Sequence, residues 1–210
     1  TDKTKAVICV HLAGWPCDMD KIMALAVKHD FKVVEDCAQA HGAKYKGKSV
    51  GSFGDVSAWS FCQDKIMTTG GEGGMVTTND KTYWSRMWSF KDHGKSYDAI
   101  YNRQHPPGFR WLHESFGTNW RLTEMQSAIG RIQLKKMKDW TRLRGEHAAK
   151  LANVCREFDC IRMPSIPDYV LHANYKFYVF VESEKLNRGW GRDKIIDALN
   201  AKGILVMQGS

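Results

Sequence analysis

Lys65 follows the apolar run 56–61 and precedes Gly70-Gly71-Glu72-Gly73-Gly74, four glycines in five residues. Glycine is kept where backbone must turn sharply or come close to something. A flexible amine just before such a stretch suits a bulky partner that lies over bare backbone while the lysine reaches it. Upstream, Asp36 ends the segment holding Val33 and Val34, Gln39 follows three residues later, and Ser60 stands at the end of the 56–61 run. The set is a carboxylate, an amide, a hydroxyl and an amine, which suits pyridoxal phosphate. A carboxylate keeps a pyridine nitrogen protonated, because opposite charges favour each other's ionised forms. A lysine condenses with the aldehyde as a Schiff base, and a hydroxyl helps to hold the phosphate. His41 lies in the same segment as a candidate for the substrate side of such a site.

Two other signals fail on context. Residues 42–49, GAKYKGKS, match the pattern GxxxxGK[ST], which binds phosphates only where a helix starts at the lysine. Here Val50-Gly51-Ser52-Phe53-Gly54 follows, with two glycines in four residues, so a basic hairpin-like loop is expected instead. The glycine cluster before Met75 leads into a strand-like run and not a helix, so it lacks dinucleotide-fingerprint geometry. Six cysteines are scattered without a CxxC pair, and Cys155 and Cys160 have no partners at zinc-finger spacing. A reducing compartment is expected, and no metal site.

The elements that would position the candidates follow from periodicity and capping signals. Val7 to Val10 reads as a buried strand. Asp18 is a good N-cap for a helix with Met19, Ile22, Met23 and Ala26 on its apolar face. Val33-Val34 is a second strand closing with Glu35-Asp36, and strand, helix, strand implies a parallel sheet with a right-handed crossover. Runs 56–61 and 75–78 read as further strands, and 80–90 as a helix. In an open parallel sheet, ligands bind beyond the carboxyl ends of the strands, where Asp36, Ser60 and Lys65 all fall. Residues 91–119 are aperiodic and rich in aromatics, histidine, glycine and proline, as functional loops often are. Thr123 with Gln126 forms a capping box that opens a long helix through Met125, Ile129, Ile132 and Met137, of which Met125, Ile129 and Ile132 read as core or dimer packing. The chain changes character near Pro164–Pro167. A strand over 176–181 and a helix over 192–202, capped by Gly203, then begin a smaller α+β unit.

Lysine and arginine total 31 against 23 acidic residues, a net charge of +8. Such a balance favours anionic partners. The densest basic run, 135–144, has helical spacing and reads as a solvated helix face, so nucleic acid is not expected. No apolar run approaches membrane-spanning length, and a cytoplasmic protein is expected. Both termini read as cut points in a longer chain.

EDCAQAHGAKYKGKSVGSFGDVSAWSF (35–61), Lys65 and TTGGEGGMVTTND (68–80) resemble the signature blocks of the DegT/DnrJ/StrS sugar aminotransferases. GTNWRLTEMQSAIGRIQL (117–134) resembles that family's later block, and the likeness runs from VHLAGWPCDMD (10–20) onward. The resemblance implies an α/β chain: part of a fold type I aminotransferase large domain (1–140), a connecting long helix (141–163) and the start of a small domain (164–210). It also implies a homodimer that moves an amino group, usually from glutamate, to a keto sugar carried on a nucleotide. Asp36 would pair with the pyridine nitrogen, and Gln39 would lie near the ring's phenolic oxygen. Ser60 would bind phosphate, while Lys65 would carry the Schiff base and shuttle protons, its proton affinity lowered by desolvation and by the cofactor's charge. Asn119 matches an asparagine that reaches the phosphate of the neighbouring subunit's cofactor; His93 and Arg121 would shape the sugar site. The family's SFHPxK-like proline is missing from Ser60-Phe61-Cys62-Gln63-Asp64-Lys65, although the serine-to-lysine spacing is kept. Members are considerably longer, and their upstream part supplies more phosphate ligands and a ring-stacking residue, so this chain carries half a site. The rival readings are a sugar dehydratase, whose relatives replace the lysine, and a non-catalytic binding or dimerisation module.

Overall fold

Alternation along Ala6–Val10 (β1) decides which face of the sheet is covered. Cys9 is buried and Val7 partly so, whereas Ile8 and Val10 stay exposed. The same alternation continues in Lys32–Asp36 (β2), where Val33 and Glu35 are buried and Val34 and Asp36 only partly covered. In the computed structural model, which describes residues 1–209, these strands pair in parallel with Val10 opposite Asp36. Val56–Ser60 (β5) adds a second parallel neighbour, Ala58 opposite Asp36, and Gly74–Thr77 (β6) closes the edge in antiparallel fashion. The sheet order is β1-β2-β5-β6, as the expected β-α-β unit requires.

The crossover helix Met19–His29 (α1) covers the inner face. Asp18 caps it by accepting from Lys21 N–H. Met19 and Ala26 pack with Cys9, Val33 and Tyr45 into one core cluster, edged by Ile22 and Met23. The GAKYKGKS segment forms the hairpin Lys44–Tyr45 (β3) and Lys48–Ser49 (β4), with Lys46 and Gly47 both at positive φ. That turn matches the right-handed twist of a two-residue hairpin, so the helix a phosphate loop needs is absent here.

Lys81–Lys91 (α2) starts at Asp80, whose carboxylate accepts from Thr82 and Tyr83 N–H. The long loop beyond it holds one short helix, Tyr97–Tyr101 (α3), which periodicity does not announce. Glu124–Cys155 (α4) opens on the reciprocal Thr123–Gln126 capping box and runs unbroken through position 140. Further on, Ile161–Arg162 (β7) pairs with Phe180–Val181 (β9), and Val170–Leu171 (β8) pairs with β3. The strand expected over 176–181 is therefore confined to two residues. Its first amide is spent elsewhere: Lys176 N–H, like that of the preceding Tyr175, donates to Ala13 O, a turn contact in place of a ladder. Arg192–Ala201 (α5) ends before Gly203, at φ +78°, as the cap signal requires. Among the described residues, no helix is long and apolar enough to cross a membrane.

Candidate active site

Register sets Val10, Asp36, Ala58 and Val76 in one row across the sheet, with Ser60 two residues beyond Ala58 on the same face. Strands lie about 4.8 Å apart and rise about 3.3 Å per residue, so the Asp36 and Ser60 backbones stand about 8 Å apart. Asp36 accepts Ala38 N–H on Oδ1 at 3.0 Å, and Oδ2 accepts no hydrogen bond among the described residues. Ser60 Oγ accepts from Cys62 N–H at 3.3 Å, which leaves its own proton to donate. Gln39 gives its oxygen to Ala13 N–H at 2.6 Å, leaving the NH₂ group as a free donor.

Lys65 sits in the loop after β5, with its side chain only 16% exposed. Its Nζ lies 3.2 Å from Asp64 Oδ1 and 3.4 Å from the Tyr175 hydroxyl, which itself donates to Asp64 Oδ2 at 2.7 Å. Burial pushes the ammonium's pKa down, as expected, but Asp64 and then Tyr175 outweigh it and the net direction is upward. Asp64 is correspondingly held down to about 2 by the Tyr175 hydrogen bond and by Lys65. Cys37, next to Asp36, and Ile66, next to Lys65, belong to one buried cluster with Ala40, Ala43, Val50 and Ala173. That shared core ties the loop after Asp36 to the loop bearing the lysine.

His41 lies within the same region, buried between Trp59 and Phe61 at ring-centroid distances of 5.3 and 6.0 Å. Neither ring nitrogen has a hydrogen-bond partner among the described residues. Burial first, then the Lys65 charge, lowers its pKa to about 4. The imidazole is therefore a neutral, aromatic packing surface beside the lysine.

The glycines after Lys65 serve the chain's own packing. A Cβ on Gly73 would stand 2.3 Å from Thr69 Oγ1, and Gly71 holds φ +144°. Close approach of backbone is real at this turn, and its partner at Gly73 is a protein side chain.

Glu35 occupies the amides of the loop that follows the GAKYKGKS hairpin. Its fully buried carboxylate accepts from Gly51, Phe53 and Gly54 N–H, each at 2.7 Å, and from His11 Nε2 at 3.0 Å. Burial pushes its pKa up, yet the His11 contact and the three amides prevail and lower it. An internal anion fills this nest, and no external phosphate is needed to satisfy it. His11, Glu35 and Cys37 also bring donor atoms within 4.8 Å of one another. Their donors are committed: His11 Nδ1 accepts Cys17 N–H, Glu35 is saturated, and burial pushes the Cys37 thiol up, away from the thiolate a metal requires.

The remaining candidates gather separately. Arg121 Nε donates to Asn119 Oδ1 at 3.1 Å, its Nη2 lies 3.4 Å from His93 Nε2, and Asp92 lies 3.7 Å from Nε. Asn119 and Asp92 form a β-bridge that sets the cluster's backbone. No hydrogen bond or ion pair joins this cluster to Asp36, Gln39, Ser60 or Lys65 among the described residues. Sequence reasoning missed Tyr175 and Asp64, which touch Lys65, and Glu35, which sets the neighbouring loop. Glu35 had a signal, since a carboxylate two residues from buried Val33 shares its face and must be paired.

Comparison with known proteins agrees on one family. The model of the DegT/DnrJ/EryC1/StrS aminotransferase family matches residues 1–208. The chain is 49% identical over 140 residues to GDP-perosamine synthase of Escherichia coli O157:H7, covering 67% of this chain and 35% of that protein. It is 37% identical over 204 residues to UDP-N-acetyl-3-dehydro-alpha-D-glucosamine 3-aminotransferase of Acidithiobacillus ferrooxidans, covering 97% and 50%. The solved structure of an aminotransferase from Psychrobacter cryohalolentis superposes with a TM-score of 0.97 at 59% identity, over all of this chain and 55% of that one. The chain thus spans from about a third to about half of the length of these relatives.

Proposed function

This chain belongs to the DegT/DnrJ/EryC1/StrS aminotransferase family, and we propose that its protein transfers an amino group from an amino acid, glutamate by preference, to a keto sugar linked to a nucleotide. The cofactor in this reading is pyridoxal phosphate, and the working unit is a homodimer. The single observation that carries it is the open, C-terminal edge of two parallel strands. There an uncommitted Asp36 oxygen and the Ser60 hydroxyl share a face, while the adjoining loops share a core with the Lys65 segment. The donor set suits the cofactor: one anion for a protonated ring nitrogen, one hydroxyl for phosphate, one amine for an aldehyde.

When bound, pyridoxal phosphate supplies an aldehyde that takes the donor's amine and a protonated ring that withdraws electrons from the donor's α-carbon. Asp36 would hold the proton on the ring nitrogen through Oδ2. Gln39, fixed through its oxygen on Ala13, would donate its amide N–H to the ring's phenolic oxygen. Ser60 would donate to the phosphate. Lys65, once neutral and free, would carry a proton on Nζ away from the substrate carbon and return it in the second half-reaction. The Asn119, Arg121 and His93 cluster, which no hydrogen bond or ion pair joins to Lys65 among the described residues, would serve the neighbouring subunit's site.

Spectroscopy of the full-length protein tests the reading. Added pyridoxal phosphate should give a visible band that borohydride removes and that Lys65→Ala lacks. Glutamate should bleach it, and a keto sugar nucleotide should restore it. A wild-type protein without the band ends the proposal, and a band that no amino donor bleaches reduces it to binding.

A further inference from the structure

Asp64 occupies the position immediately before the lysine, where local sequence offers no hint of its use. Its carboxylate spans two partners: Lys65 Nζ at 3.2 Å on Oδ1, and the Tyr175 hydroxyl at 2.7 Å on Oδ2. Tyr175 closes the triangle at 3.4 Å from Nζ, and Nζ also stands 5.2 Å from the centre of its ring. The phenol arrives from a segment 111 residues from Asp64, so chain connectivity does not put it there. A turn at Ala13 and Gly14 does. Tyr175 N–H donates to Ala13 O, Ala173 N–H donates to Gly14 O, and a Cβ on Gly14 would stand 2.9 Å from the Ala173 Cβ. Ala13 N–H in turn is bound to Gln39. One hydrogen-bonded chain therefore runs from Gln39 through the Ala13 turn to Tyr175, Asp64 and the lysine.

We propose that Asp64 and Tyr175 are positioning residues that dock the Lys65 amine as an ammonium ion whenever it is not covalently bound, and so set the pH at which it can bond an aldehyde. The inference rests on the aminotransferase reading for its purpose, although the docking itself is a property of this chain. Bonding requires that the docked ammonium first release one proton to solvent. The neutral nitrogen then forms a C–N bond to the aldehyde carbon, and the carbonyl oxygen leaves as one water. Removing the Asp64 charge makes the first step easier. Other titratable and charged groups stand near this docking point. His41, close enough to feel the Lys65 charge, is neutral above pH 4 or so, and the Cys62 thiol donates to Glu72 Oε1 at 3.3 Å and also helps to hold the Asp64 carboxyl down. Arg144 is bonded to Asn174 O next to Tyr175, and the Lys176 ammonium lies 5.0 Å from the Tyr175 ring centre.

The test uses full-length protein stripped of cofactor, with its lysines labelled with ¹³C at Cε during expression and Lys65 assigned through Lys65→Ala. In the wild type, the Lys65 resonance should titrate above the ordinary lysine value. Asp64→Asn should move that titration to lower pH, Tyr175→Phe should move it less, and Asp64→Glu should restore it. On addition of pyridoxal phosphate at neutral pH, Asp64→Asn should gain its visible band roughly tenfold faster, the effect of removing one opposite charge at contact distance. Equal Lys65 titration in wild type and Asp64→Asn overturns the proposal, as does equal loading across pH 7–9. If Asp64→Asn does not fold, an unmoved titration in Tyr175→Phe overturns it equally. If the wild type titrates as stated but never develops the band, the aminotransferase reading falls and the docking stands.

Discussion

Glu35 and Asp36 are neighbours in one strand, carry the same functional group and do opposite things. Glu35 faces the covered side of the sheet, where three amides and His11 saturate its oxygens. Asp36 faces the open side, where one oxygen meets Ala38 and the other is uncommitted. The 180° alternation of a strand makes the difference. A buried carboxylate must be satisfied by the fold, whereas one at an open strand end can be kept for a ligand.

Breaking this contrast should cost most on the buried side. In the full-length protein, Glu35→Ala strands three amides and a histidine and should lower unfolding stability by about 3–5 kcal/mol, as read by urea denaturation. Asp36→Asn should leave the urea midpoint within about 0.5 kcal/mol of wild type. If Asp36 holds the ring proton as proposed, the same variant should nevertheless reduce transamination by about 100-fold or more, through loss of the counter-charge. A large stability loss at Asp36 with little loss at Glu35 would reverse the assignment of roles.

Titration sharpens the same comparison. His41 has a depressed folded pKa, so its neutral form contributes stability that is fully present above the unfolded value of 6.5 and is lost as pH falls towards about 4. Thermal unfolding between pH 7 and 4 should show that loss, worth up to roughly 3 kcal/mol, and His41→Phe should flatten it. Glu35 also has a lowered folded pKa, so its contribution is present above the ordinary glutamate value and falls away through the folded value on acidification. Glu35→Gln should remove that more acidic limb alone. Smallest of all, Thr123→Ala should cost about 1 kcal/mol by removing a helix cap far from either carboxylate.

Much of this was legible from local pattern. Asp18, Asp80 and Thr123 announce their helices because a capping side chain and the amides it serves are at most three residues apart. Asp36 and Ser60 could be placed at strand ends by alternation and run length. Lys65 stood out by its glycine neighbours, although Gly73 turned out to make room for Thr69. What escaped was long-range. Tyr175 was read into no site because nothing around it signals a partner 111 residues away. The strand expected over 176–181 shrank because Ala13 captured two of the amides around its start, a competition between segments that a window of sequence cannot represent.

By itself, then, the sequence determined the β-α-β frame, the edge of the sheet on which Asp36 and Ser60 stand, the hairpin nature of GAKYKGKS and the family. All of these depend on periodicity, capping and turn chemistry over a few residues. Only the tertiary structure decided that Glu35 fills the amide nest after that hairpin, that His41 is a buried neutral ring, and that Lys65 rests as a cation between Asp64 and Tyr175. Proton affinity is set by whatever charges and dipoles are folded within a few ångströms, and those neighbours come from anywhere in the chain.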